Sequence, residues 1–192
     1  NEIQKCINSS STELRIESST VEAYGNSTET DYTIKISNIK MQGTPVKAKA
    51  AVWSKNNWQD DLVWYTADKG SDGRWYVNVP ISRHKTAGLY YADVYIEDIN
   101  GNSVYAGGTT FNVSDAQASG ITILNYNKEE GTFDVVVNGV NAKAGIKQVK
   151  IPVWSKEDHS DIYWYVAEKQ EGGSYIAHVD ISNHQFHYGK YY

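Results

Sequence analysis

The chain writes one unit twice. Val52-Trp53-Ser54-Lys55 returns as Val153-Trp154-Ser155-Lys156, and Asp61-Leu62-Val63-Trp64-Tyr65-Thr66-Ala67 returns as Asp161-Ile162-Tyr163-Trp164-Tyr165-Val166-Ala167. Gly73-Arg74-Trp75-Tyr76-Val77 matches Gly173-Ser174-Tyr175-Ile176-Ala177, and Val79-Pro80-Ile81-Ser82-Arg83-His84 matches Val179-Asp180-Ile181-Ser182-Asn183-His184. Gly88-Leu89-Tyr90-Tyr91 then faces Gly189-Lys190-Tyr191-Tyr192, and the offset is 100 or 101 throughout. A chance likeness does not hold its register through five blocks. A period near 100 is too long for a solenoid repeat and fits one immunoglobulin-like domain. The spacing therefore predicts a lead segment over 1–11, one domain over 12–115 and a second over 116–192. The polar stretch Ser114–Gly120 reads as the linker.

Within each copy the hydrophobic pattern has period two, which argues for strands. Val46, Ala48, Ala50 and Val52 fall on one face, as do Val149, Ile151 and Val153. Trp75, Val77, Val79 and Ile81 form a second row, and Tyr90, Ala92, Val94 and Ile96 a third. Asn100-Gly101 reads as a type I′ hairpin turn and Ser71-Asp72-Gly73 as another turn. Gly88-Leu89-Tyr90 and Gly189-Lys190-Tyr191 resemble the tyrosine corner of β-sandwiches, in which a hydroxyl bonds back to upstream backbone. No ten-residue stretch has helical periodicity. The expected fold is all-β: two tandem immunoglobulin-like β-sandwich domains, the second truncated at its C-terminus. Copy two holds no counterpart of Ala92–Ile96 or Thr109–Val113. An open edge of that kind invites strand exchange with another chain. Either the chain has been cut at that point or a neighbour supplies the strand.

Charge removes some functions. The net charge is −5 and Lys is interleaved with Asp and Glu, so no cationic block is available for nucleic acid or for an anionic membrane surface. No apolar run reaches the ~18–20 residues that span a bilayer, so membrane insertion is not expected. The chain begins at Asn1 and reads as a processed or excised segment, so the missing signal peptide leaves the compartment open. Cys6 is the single cysteine, which excludes an internal disulfide. It reads as an incidental thiol in a polar lead segment. This pattern fits a cytosolic protein, or a secreted one from a bacterium that avoids cysteine.

The candidate chemistry is thin. Asp60-Asp61 is an acidic pair, but adjacent strand residues point to opposite faces, and copy two has Ser160-Asp161 there. Asp61, Asp161, His84, His184, Tyr90 and Tyr191 read as structural, each His bonded across the sandwich end, His84 to Asp61. Asp98-Ile99-Asn100-Gly101-Asn102 opens like a calcium loop, but Ser103 and Thr109 stand where Gly and Glu are needed. No metal or other cofactor is expected. The aromatics are the remaining handle: 15 Tyr and 6 Trp against 3 Phe. Trp64 and Trp164 share a face with Leu62 and Thr66, or Ile162 and Val166, and are assigned to the core. Tyr65, Tyr163 and Tyr165 fall opposite. Trp53 and Trp154 are out of phase with the buried row, and Trp58 sits in a loop with His159 as its counterpart. Trp58, Trp53, Tyr65, Trp154, Tyr163 and Tyr165 are thus the candidate ligand-binding residues, since exposed planar rings stack on sugars or anchor partners. Packing is the competing explanation for the set.

The series Val-Trp-Ser, Asp-Asp-Leu-Val-Trp-Tyr-Thr-Ala, Asp-Gly-Arg-Trp, Ile-Ser-Arg-His and Gly-Leu-Tyr resembles the repeat named after the group B streptococcal bacterial surface protein. It covers roughly 46–113 and 149–192. The resemblance implies an extracellular module of Gram-positive bacteria, cell-surface or secreted, often beside peptidoglycan hydrolases and thought in some cases to hold the protein on the wall. It carries over no catalytic residue. The expectation is a non-catalytic module that binds cell-wall polysaccharide or peptidoglycan. The alternative is a spacer or protein-interaction segment that presents a neighbouring domain. A glycan hydrolase is the remaining reading.

Overall fold

The computed structural model describes residues 15–192; the lead segment 1–11 and Cys6 lie outside the described residues. The chain divides into two compact units, Asn1–Ser114 and Asp115–Tyr192. Helical structure among the described residues is confined to three 3-10 turns, and no helix is long and apolar enough to cross a membrane.

Among its described residues unit 1 has eight strands: β1 (Arg15–Gly25), β2 (Asp31–Gln42), β3 (Pro45–Ser54), β4 (Val63–Thr66), β5 (Asp68–Lys69), β6 (Trp75–Pro80), β7 (Gly88–Asp98) and β8 (Ser103–Val113). They form two antiparallel sheets, β1-β2-β6-β5 and β4-β3-β7-β8. The chain changes sheets between β4 and β5, as the edge of an immunoglobulin-like sandwich does. Alternation explains the interior. Ile34, Ile36, Val77 and Val79 from one sheet meet Ala48, Ala50, Val52, Val94 and Ile96 from the other, all without solvent exposure. Val46 is the exception. It lies in an irregular step of the β3–β7 register, between Pro45 and Lys47, and is exposed.

The β7–β8 hairpin differs from the expected type I′ turn. Only Gly101 takes a positive φ, +83°. Gly101 N–H donates to the Asp98 carbonyl and Asp98 N–H to the Asn102 carbonyl, closing a three-residue loop with glycine at its left-handed position. The Asp98 side chain accepts from the N–H groups of Asn100 and Asn102 at 2.9 Å each and from Asn102 Nδ2 at 3.0 Å. These bonds account for the residues that opened like a calcium loop.

Unit 2 has β9 (Gly120–Asn127), β10 (Thr132–Asn138), β11 (Val149–Val153), β12 (Tyr163–Lys169) and β13 (Tyr175–Asp180), ordered β11-β12-β13-β10-β9. Here one continuous strand, β12, pairs with β11 through Tyr163–Ala167 and with β13 through Glu168 and Lys169. It does the work divided between β4 and β5. Gln117 bridges to Asn141, and Ser119 N–H bonds to the Asn138 carbonyl, so part of the polar stretch after Ser114 is built into this unit. Trp154 and Tyr192 exchange two backbone hydrogen bonds, 3.2 and 2.9 Å, at the position of the Trp53–Tyr91 pair. On the side of β11 where β7 and β8 cover β3 in unit 1, unit 2 has an apolar groove of about 350 Å³ between Ile121, Ile123, Phe133, Val153 and Tyr191.

Two isoleucines separate burial from composition. Ile36→Ala should cost about 2–5 kcal/mol, as for a fully buried aliphatic group. Ile121→Ala, at an exposed position of β9, should stay within about 0.5 kcal/mol of the parent. Urea unfolding of the whole chain checks both.

Candidate functional site

One end of each sandwich carries a buried polar cluster. In unit 1 the Tyr65 hydroxyl and His84 Nε2 are 3.0 Å apart, and His84 Nδ1 lies 3.8 Å from Asp61 Oδ2. Asp61 Oδ1 accepts the Ser54 N–H at 2.9 Å. The His84 ring stands edge-on to Tyr90, 5.3 Å away, and the Tyr90 hydroxyl donates to the Thr86 carbonyl at 2.6 Å. That last bond is a tyrosine corner. Unit 2 repeats the arrangement: Tyr165 Oη to His184 Nε2 at 2.9 Å, His184 Nδ1 to the Asp161 carbonyl at 3.0 Å, and the Tyr191 hydroxyl to the His187 carbonyl at 2.7 Å.

The electrostatics follow from burial and bonding. Burial lowers the His84 pKa, so its imidazole is held neutral. Burial would raise the Asp161 carboxyl. Hydrogen bonds from the Ser155 hydroxyl and from the N–H groups of Lys156 and Ser155 outweigh it and hold the group at about 2. Ser155 Oγ donates to Asp161 rather than to His184, so serine and histidine do not form the nucleophile–base pair of a hydrolase. Asp60 is exposed while Asp61 caps Ser54, and the two do not face one bond. Among the described residues, no group of three or more His, Cys, Asp and Glu side chains is placed to hold a metal ion.

The tyrosine–histidine bonds reverse the expected phase of β4 and β12. Tyr65 and Tyr165 face inward, 7% and 8% exposed, and are not surface residues. Trp64 and Trp164, assigned to the core by their apolar neighbours, are 54% and 56% exposed on the outer face. The physical reason is the polar handle: a buried histidine nitrogen needs a partner, and a tyrosine hydroxyl reaches it while an indole N–H of different geometry at the next position points away. Tyr163 stays on the tyrosine side but lies at the strand end, exposed and tilted against Tyr165 at 4.7 Å. Trp53 and Trp154 are half-buried. Trp53 stacks on Tyr91 at 5.6 Å and Trp154 on Tyr192 at 6.1 Å, each on the outer face.

The outer face of the β4-β3-β7-β8 sheet thus collects aromatic rings. Ala51 pairs with Trp64 on one side and Asp93 on the other, and Asp93 pairs with Gly108. One row over, Lys49 pairs with Thr66 and Tyr95, and Tyr95 with Tyr105. Trp64 lies 5.5 Å from Tyr95, which lies 5.6 Å from Tyr105. Tyr95 and Tyr105 were not singled out from the sequence. In unit 2 the same register recurs at Pro152–Trp164.

Trp58 stands apart. It is 69% exposed and takes a φ of +49°, a conformation that costs an L-residue about 1–2 kcal/mol. His159 takes +58° in the matching loop and covers Trp154 at 4.7 Å. The loop geometry is shared by both copies; the exposed indole belongs to the first.

Fold and surface together define a class: a tandem immunoglobulin-like repeat module whose polar cluster is internal and whose matched indoles Trp64 and Trp164 face outward. The chain belongs to the GBS Bsp-like repeat family, whose sequence profile matches residues 20–111 and 122–192. It is accordingly a surface-protein type of repeat. No curated protein matches it. Among solved structures it is similar to a polysaccharide deacetylase from Bacillus cereus, at 10% identity and a TM-score of 0.44, over 53% of this chain and 31% of that one. It is also similar to a tetra-tandem repeat in the extending region of a large adhesion protein, at 18% identity and 0.44, over 89% and 42%. A third likeness, at 13% identity and 0.32 over 86% and 41%, is to a Ca2+-stabilized adhesin that helps an Antarctic bacterium reach out and bind ice. All three TM-scores are below 0.5, and the chain spans less than half the length of each of these proteins.

The buried cluster makes stability depend on pH in two ranges. The folded Asp161 pKa lies below its ordinary value of 3.8, so its contribution is whole above about pH 4 and is lost as pH falls toward about 2. The folded His84 pKa is also depressed, and protonation below its ordinary 6.5 therefore opposes folding. Thermal melts should show unit 1 weakening as pH drops below about 6.5. Asp161→Asn should flatten the further loss between about pH 4 and 2. Separately, Trp58→Gly should raise stability by about 0.5–1 kcal/mol, because glycine adopts the positive φ without strain; chemical denaturation measures it.

Proposed function

We propose that the chain is a non-catalytic, extracellular module that holds its parent protein on cell-wall glycan. The observation that carries this reading is the pair Trp64 and Trp164. Both indoles are more than half exposed at the same register position of the two compact units. An indole face left in water costs free energy that burial would recover, and stacking on the apolar face of a pyranose recovers it on binding. Family membership and the acidic, cation-poor composition support the same reading: sugar chains need no counterion release, and nucleic acid does. The polar clusters belong to the interior and do structural work, which supports a module without turnover.

Tandem repetition also favours a second reading, a spacer that sets a neighbouring domain at a distance. Sedimentation of the whole chain with purified peptidoglycan sacculi at low salt separates the two. Retention with the pellet is expected. A chain left wholly in the supernatant rejects wall binding and leaves the spacer.

A further inference from the structure

The outer face of the β4-β3-β7-β8 sheet holds a shallow hollow lined by Lys49, Trp64, Thr66, Tyr95 and Ser103, which continues as a trough along the neighbouring row. Its low row is Trp64–Ala51–Asp93–Gly108, in which the residues between and beyond the indole and the carboxylate are small. The stacked pair Trp53–Tyr91 walls one side, and Lys49, Tyr95 and Tyr105 wall the other.

Two irregularities build this trough. First, the β7–β8 register slips by one residue between Val94 and Tyr95: Val94 pairs with Gly107, but Tyr95 pairs with Tyr105. Without the extra residue Tyr105 would stand opposite Ile96 and point inward. The bulge, with Gly107 at φ +124°, turns it to the outer face beside Tyr95. Bulges that re-aim a side chain are over-represented beside functional sites. Second, a Cβ at Gly108 would come within 2.7 Å of Asp93 Oδ1 and 3.0 Å of the Tyr105 hydroxyl. Glycine there lets the carboxylate and the phenol lie side by side, the hydroxyl 3.5 Å from Asp93 Oδ1. The bulge also serves the interior, since Ala106 is buried, its carbonyl accepts from the Ser19 hydroxyl, and Gly107 lies against Val21. The close approach at Gly108 concerns only the outer face, where Tyr105 is exposed and Asp93 half-buried.

We infer that this trough is the glycan subsite of unit 1 and that it takes an uncharged N-acetylhexosamine chain. This rests on the wall-binding reading. Trp64, Tyr95 and Tyr105 stand 5.5 and 5.6 Å apart at mutual tilts of 55° and 66°, so the rings line the trough at different angles and the exposed Trp64 indole is the main stacking face for a pyranose. Asp93 accepts from sugar hydroxyl and acetamido N–H groups, a charge-assisted bond of the stronger kind. The same carboxylate repels uronic acids and phosphate-bearing polymers, since like charge in a half-buried site is unfavourable. Lys49 does not offset it, being already paired with Glu97 at 2.7 Å. A protein partner fits less well. Interface cores are depleted of charge, and here the carboxylate lies in the middle with Lys49 and Thr66 among the rings.

Calorimetric titration of the whole chain with N-acetylglucosamine tetramer tests this, with a galacturonic acid tetramer as the anionic control. The neutral oligomer should bind and the anionic one should not. Trp64→Ala and Tyr105→Phe/Ala variants should weaken binding at least tenfold for the alanines, with the melting temperature kept within a few degrees. Asp93→Asn should weaken the neutral oligomer several-fold and admit the anionic one. No binding of the neutral oligomer, or binding unchanged by Trp64→Ala, would overturn the trough as the site. Wall retention that survives Trp64→Ala leaves the wall-binding reading standing and removes the trough; retention abolished by protease treatment of the walls replaces the sugar with a protein. Gly108→Ala gives an independent handle: it should lower affinity by displacing Asp93 or Tyr105, and, since the added Cβ also lies 3.1 Å from the Ala92 carbonyl, its melting temperature is compared with that of the parent.

Discussion

The hydrogen bond between the Tyr65 hydroxyl and His84 Nε2, and its copy between Tyr165 and His184, decides which side of the sheet-crossing strand faces water. The buried imidazole of His84 has no hydrogen-bond partner at Nδ1, 3.8 Å from Asp61, so the bond at Nε2 is the one that offsets the cost of about 1–3 kcal/mol that a second unpaired nitrogen would add. Tyrosine supplies the pairing from the inward face of β4 and β12. Strand side chains alternate, so the neighbouring Trp64 and Trp164 are sent outward with no further choice. Their exposure is a consequence of a polar bond in the interior.

The rest of the outer face builds on that phase. Once Trp64 points out over Ala51, the rows beside it set the shape: Trp53 against Tyr91 on one side, Tyr95 and Tyr105 on the other. The small residues at 51 and 108 keep the floor low, and the bulge in β8 brings the last ring across. Unit 2 carries the same indole at the same register but sets Pro152 beside it, and its loop residue His159 packs on Trp154, whereas Trp58 of unit 1 stands exposed. The two copies therefore share an interior and differ at the surface, which is where repeats of one fold acquire separate roles.

Much of the fold was legible. Trp75 to Ile81 and Tyr90 to Ile96 alternate with polar residues over enough length that only one face can be buried, and each row is inward. The short strand Val63–Thr66 was not legible in the same way. It places Val, Trp and Tyr in succession, so hydrophobicity favours the larger indole for the core, and the deciding partner stands nineteen residues away. Tyr105 was missed for a related reason. A one-residue bulge inverts every assignment beyond it, and the only local sign is the glycine pair Gly107-Gly108. The type I′ expectation at Asn100-Gly101 failed because Asp98 accepts the N–H groups of Asn100 and Asn102 and draws the turn one residue longer.

From the sequence alone came the repeated unit, its length, its strand-rich character and the residue types that fill two sandwich interiors. These follow from spacing and alternation, which are local and survive without coordinates. Tertiary structure alone decided which aromatics meet solvent and which meet a histidine. That choice depends on hydrogen bonds between residues far apart in the chain and on a shift of register, and neither leaves a periodic trace among neighbours.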